Sequence, residues 1–160
     1  MTALTALTRA NRLLEGSRLA GVVAGFAVAS SIDGSEARLR VLQLWLVLSI
    51  AGLTAIEGLF FARGAALMSG YGDPGPYQRQ SALNNLALVC VSVWSFLAGW
   101  GAQACAAILA VLLCFLVLSG INHAVSKSTG APHTLHRFTR PLMSLALIAA
   151  CVPFLLAALR

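Results

Sequence analysis

The chain has 160 residues, of which 59% are hydrophobic and 10% charged, with a formal net charge of +6. A soluble domain carries about 25% charged residues, and a chain this short has too little polar surface to cover so much apolar area, so lipid is the solvent for most of it. The positive charge does not point to nucleic acid, because the basic residues stand singly at the ends of apolar runs, as membrane-flanking anchors do, without an aromatic-interleaved basic face.

Residues 1–18 are mixed and mildly amphipathic, with Arg9, Arg12 and Glu15 among leucines and alanines, and are read as an N-terminal amphipathic segment. No small-residue cleavage site precedes a mature domain, so a signal peptide is the weaker reading. Leu19–Ile32 follows as a charge-free run of 14 residues between Arg18 and Asp33. At about 21 Å it is short for a span, and length alone favours an interfacial element. Gly21-Val-Val-Ala-Gly25 argues for close helix packing, since GxxxG lets two backbones approach in a membrane.

Asp33-Gly34-Ser35-Glu36 is a polar turn in which Ser35 is placed to cap the next helix. The run 41–62 is a clear span whose one charged residue is Glu57. The connection that follows is dense in turn formers from Gly70 to Tyr77. From Gln80 to Ser126 there are 47 residues without Asp, Glu, Lys or Arg. As one helix they would reach roughly 70 Å, more than twice the hydrocarbon thickness of a bilayer. Folded at Gly99-Trp100-Gly101-Ala102-Gln103 they make a transmembrane hairpin of two spans, 81–100 and 104–124, with Trp100 as an interfacial aromatic. A second connection carries Lys127, His133, His136, Arg137 and Arg140. The last span, 141–159, starts at Pro141, where a missing N–H costs nothing in a first turn, and holds Pro153, which predicts a kink.

Counting Lys and Arg sets the number of crossings. With four spans the two sides carry 6 and 5; if Leu19–Ile32 also crosses they carry 8 and 3. The second partition obeys the positive-inside rule, with the N-terminus and both longer connections in the cytoplasm. The expected fold is therefore an all-α integral membrane bundle, with four transmembrane helices and a short fifth N-terminal membrane element.

This topology brings Glu57 to a similar depth as Asn84 and Asn85 on the third span and as Asn122 and His123 at the end of the fourth. A carboxylate within a span is costly unless it faces the bundle and finds partners. One reading is a proton-linked or ligand-binding pocket, with Glu57 as carboxylate and His123 as its partner. The other is an interhelical hydrogen-bond cluster that fixes packing, with Glu57 reaching toward the interface. One Glu and one His are too few for a metal site, haem b needs two histidines on facing helices, and no nucleophile–base pair or phosphate loop is present, so no cofactor, metal or catalytic residue is expected. The cysteines Cys90, Cys105, Cys114 and Cys151 lie in spans without a CxxC and read as small apolar packing residues.

Phe60-Phe61, the run Pro76-Tyr77-Gln78-Arg79-Gln80-Ser81-Ala82-Leu83-Asn84-Asn85-Leu86-Ala87 and the span end Gly120-Ile121-Asn122-His123 together resemble a family of small bacterial multi-span membrane proteins of unknown function. The likeness covers about residues 41–150 and rests on an aromatic-Gln loop, an Asn-Leu-Ala helix start and a Gly-x-x-His span end. The family pattern has a histidine near the end of its first long span and an acidic residue after the Gln. Glu57 and Gln80-Ser81 stand there in this chain, so shared metal or proton chemistry does not carry over. The resemblance implies an integral membrane protein without an established activity. Ten arginines against one lysine, in a chain rich in alanine and leucine, fit a GC-rich bacterial genome and hence the bacterial inner membrane. The expected role is a non-catalytic accessory or structural subunit, packing against other membrane subunits or copies of itself and binding no nucleic acid. The alternative is a small proton-linked transporter or ligand-binding protein using the Glu57/His123 pocket.

Overall fold

A computed structural model describes the backbone of residues 3–63, 75–125 and 135–160, and side chains from Arg9 onward except those of residues 77, 123, 124 and 135–140. Within these residues the chain is all-helical: α1 is Ala3–Ser30, α2 is Ser35–Val47, α3 is Leu53–Phe60, α4 is Pro76–Leu97, α5 is Ala102–Val125 and α6 is Leu135–Leu159. A π-helical turn, Leu48–Gly52, joins α2 to α3, so the two form one second span. Five helices are long and apolar enough to cross a membrane, over Arg9–Ser30, Ser35–Phe60, Gln78–Leu97, Ala102–Asn122 and Pro141–Leu159.

The first crossing differs from the short element expected at 19–32. Its helix begins far upstream and runs 28 residues without a break, so residues 3–18 are continuous with the span and Arg18 lies inside it. Small or polar residues recur along the inward side of this helix, from Asn11 through Gly21 and Gly25 to the fully buried Ala29. That is a 3–4 spacing, which keeps one helical face toward the bundle.

The second span is the hub. It packs against α1, α4, α5 and α6, and 44% of its most apolar window is buried, against 11% for the first and last spans. Leu39, Leu42, Leu46 and Val47 of α2 meet Cys105, Leu109 and Leu112 of α5 and Cys151 of α6 in one core, with Phe26 of α1 set edge-on to Phe154 of α6. In lipid the hydrophobic effect does not drive helices together, so close fit and interhelical hydrogen bonds must. The fit is supplied by small residues. A Cβ on Gly21 would collide with Ser49, one on Gly25 would lie 2.8 Å from the Trp45 Cβ, and one on Gly58 would lie 2.7 Å from the Ala82 Cβ. At the far end of the hairpin, a Cβ on Gly120 would come within 3.2 Å of the Pro141 Cα. All four glycines therefore sit against this chain's own helices.

The π turn adds a residue and turns α3 by about 100° relative to an uninterrupted helix. The Thr54 hydroxyl donates to the Ile50 carbonyl at 2.7 Å, satisfying an acceptor in the irregular turn. Ser49, the residue against Gly21, lies within this turn.

The connections on one side are tight. Gly34, at φ +84°, rather than Ser35, is the cap residue of α2, and Ser35 is its first helical residue. The third span ends in a Schellman closure: the Trp100 N–H donates to Ser95 O at 2.9 Å and the Gly99 N–H to Phe96 O at 3.3 Å, with Gly99 at φ +65°. Arg40 spans both connections by donating to Glu36 at 3.2 Å and to the Gly99 carbonyl at 3.5 Å. The C-terminal residues Ala158–Arg160 line a recess on this side together with Gly101 and Gln103. With five crossings, the start of α1 and the C-terminal ends of α3 and α5 belong to the opposite side. Pro141 does not open its helix as expected; α6 starts six residues earlier and is continuous through both Pro141 and Pro153.

The Gly58–Ala82 contact is testable by moving one methyl group across the interface. Gly58→Ala is expected to lower stability in mild detergent by about 1–3 kcal/mol through overpacking. Adding Ala82→Gly to that variant is expected to return most of the loss, read by the midpoint of thermal unfolding.

Candidate functional site

The polar side chains that bond between spans fall into two main groups rather than one pocket, and the fully buried Asn11 joins neither, having no hydrogen-bond partner among the described residues. The first is an ion pair. The Arg18 guanidinium donates from Nη2 to Glu57 Oε2, joining α1 to α3 across 39 residues of sequence. The two side chains are 19% and 16% exposed. Paired charges turned into the bundle are how a membrane helix carries ionisable groups, since either one alone would face hydrocarbon unpaired.

The second group lies deeper in the bundle. Gln43 of α2, fully buried, donates through Nε2 to the Ser92 Oγ of α4 at 2.6 Å, and the buried Ser95 hydroxyl donates to the Ser92 carbonyl at 2.9 Å. Ser144 adds a smaller link between the fourth and fifth spans, donating to Leu116 O at 3.3 Å.

The residues expected around Glu57 take different places. Asn85 is 6% exposed and donates to Ser81 O of its own helix at 2.9 Å. Asn84 and Asn122 are exposed on the outside of the bundle. The His123 backbone is helical at the end of α5, and its side chain lies outside the described residues, as do Lys127 and His133. An open recess of about 590 Å³ is lined by Gly58, Phe60, Pro76, Gln78 and Arg79 among others, and none of Glu57, Asn84, Asn85 or Asn122 lines it. Among the described residues no three His, Cys, Asp or Glu side chains cluster as metal ligands would. Of the cysteines, Cys105 and Cys151 are buried between helices, whereas Cys90 and Cys114 face outward.

Arg18 and Gln43 were missed from the sequence for separate reasons. In the sequence Arg18 flanks a short apolar run, although its position seven residues after Asn11 and three before Gly21 puts it on the inward side of a continuous helix. Gln43 is uncharged and does not interrupt its run, yet an amide inside an apolar run asks for an interhelical partner as a carboxylate does.

No family model, curated protein or solved structure matches this chain. Function is therefore argued from the residues.

The arrangement can hold helices in register, with a charge pair at one end and a neutral amide–hydroxyl bond nearer the other. Its chemistry differs from that of a carboxylate poised with a histidine, because a guanidinium neither gives up nor accepts a proton in proteins. Glu57→Gln is thus expected to be destabilising, since the amide leaves a guanidinium charge among the spans. A loss of about 1–3 kcal/mol follows from the cost of unpairing a part-buried ion pair, read as a lowered unfolding midpoint in mild detergent.

Proposed function

We propose that the chain is a non-catalytic integral membrane protein that works by helix packing, as an accessory or structural subunit in the inner membrane of a bacterium. The observation that carries this reading is the pairing of Glu57, the carboxylate within the second span, with Arg18 of the first span. The group with most chemical potential inside the bundle is engaged in holding two helices together. The deeper polar contact, Gln43 with Ser92, has the same character, since it joins the second span to the third.

The other class of function, a proton-linked transporter or ligand-binding protein built on Glu57 and His123, draws less support. Asn84 and Asn122 are exposed outside the bundle rather than gathered around Glu57, and the carboxylate's partner is a group that does not relay protons. With Arg18 left out because it lies inside the first span, Lys and Arg number 7 on the side of the N-terminus and the two longer connections and 3 on the other. That imbalance supports a cytoplasmic N-terminus.

The test is purification of tagged chain in mild detergent, with native mass measurement and identification of co-purifying chains and small molecules. Stoichiometric recovery with larger membrane subunits is the expected result. A lone chain or homo-oligomer that carries a bound metabolite or ion, lost in Glu57→Gln, would contradict it.

A further inference from the structure

The two adjacent amides of α4 have opposite fates. Asn85 turns inward and bonds Ser81 O, whereas Asn84 is exposed and has no hydrogen-bond partner among the described residues. Asn84 lies thirteen residues before Leu97, or about 20 Å along the axis, and five residues after the exposed Arg79, whose charge belongs at the near interface about 7 Å away. A hydrocarbon layer about 30 Å thick includes it. Its side chain is too short to reach either interface. A carboxamide left bare in hydrocarbon costs several kcal/mol, and membrane helices remove that cost by pairing amides across an interface.

We infer that the outward face of the third span is a self-association surface, on which Asn84 of one copy pairs with Asn84 of a second copy of this chain. Two copies inserted with the same orientation are related by a two-fold axis along the membrane normal, so like residues meet at like depth. A carboxamide is self-complementary, since each offers a carbonyl to accept and an amino group to donate. The surrounding face has the matching spacing. Gln80, Asn84, Ala87, Val91, Trp94 and Ala98 are all exposed and recur at intervals of three and four, the a/d seam of a parallel helix pair. Such a spacing occurs on any lipid-facing helix side; the buried-depth amide at an a position is what selects a partner, because a single Asn there fixes register and favours two strands. Ala87 beside it lets the helices approach closely, as small residues do at membrane interfaces. The glycines at 21, 25, 58 and 120 do not compete for this role, since each is seated against the chain's own helices.

The inference deepens the packing role by naming a partner, and it rests on that role without requiring a larger complex. The test uses the full chain with its four cysteines replaced by alanine, reconstituted alone in lipid nanodiscs large enough for two copies. Single Ala87→Cys and Val91→Cys variants are expected to form covalent dimers on mild oxidation. Leu86→Cys and Leu97→Cys, exposed but off the seam, are expected not to. Asn84→Leu is expected to weaken dimerisation roughly 3- to 30-fold, the range of interhelical polar contacts in membranes, and Asn84→Gln is expected to retain most of it. A monomer in the bilayer, a dimer indifferent to Asn84→Leu, or equal cross-linking at 86 and 97 would overturn the inference. The outcome is separate from the purification test. A dimer here with no larger subunit recovered contradicts the accessory role alone, and a larger subunit recovered with a monomer here contradicts the Asn84 seam alone.

Discussion

A charge inside an apolar helix must be neutralised within reach of its own side chain, and here Arg18 and Glu57 do this for each other. The consequence runs in both directions. Arg18 is tolerated in the first span because Glu57 stands opposite, so the helix continues from Ala3 through that arginine instead of ending beside it. Glu57 in turn is held toward α1 and away from the outward side where Asn84 and Asn122 lie. The pair thereby joins the first crossing to the hub of the bundle, beside the close contacts of Gly21, Gly25 and Phe26.

The remaining structure places the two charges where they can meet. Gly21 against Ser49 and Gly25 against Trp45 bring the first span close enough to the second for the side chains to span the gap. The π turn at Leu48–Gly52 then rotates α3, and with it Glu57, relative to α2. On the other face of α3, Gly58 nests on Ala82 of the third span, so consecutive residues, Glu57 and Gly58, contact different neighbours. Removing the extra residue of the turn would redirect both contacts together. Local irregularity in the second span is thus tied to a specific long-range pairing rather than to looseness, and the hydrogen bond from Gln43 to Ser92 extends the same span's grip on the third.

Much of this architecture is legible in the residues. The charge-free run from Gln80 to Ser126 is too long for one crossing, and its Gly-Trp-Gly centre is where the chain turns, through a Schellman closure that needs Gly99 in the left-handed region. The imbalance of arginines pointed to a fifth membrane element, and five helices are long and apolar enough. What stayed hidden was the length of the first one. A run-length reading stops at a charge, and Arg18 is a boundary only if nothing in the fold neutralises it. Pairings over 39 residues of sequence are three-dimensional facts, and neither Arg18 nor Glu57 carries a local mark of the other. The π turn leaves no trace in Leu48–Gly52 beyond an ordinary mixture of apolar and small residues. The outward orientation of Asn84 beside an inward Asn85 likewise follows from helix phase, which the bundle sets. Nor does depth alone decide a site: residues that share a level in the membrane face in directions that only the packing assigns.

A membrane protein whose interior ion pair and amide–hydroxyl bond join its own helices is organised for holding a shape, and its surfaces for meeting other helices. The most direct test of that view is the coupling between Arg18 and Glu57. Unfolding stability in mild detergent would be measured for Arg18→Gln, Glu57→Gln and the double variant. If the pair holds the first span to the second, each single change costs stability, and the double change costs little more than either single one, a coupling of about 1 kcal/mol or more. Strictly additive losses, or single variants as stable as the parent, would contradict the account and leave the first span held by its glycine and apolar contacts.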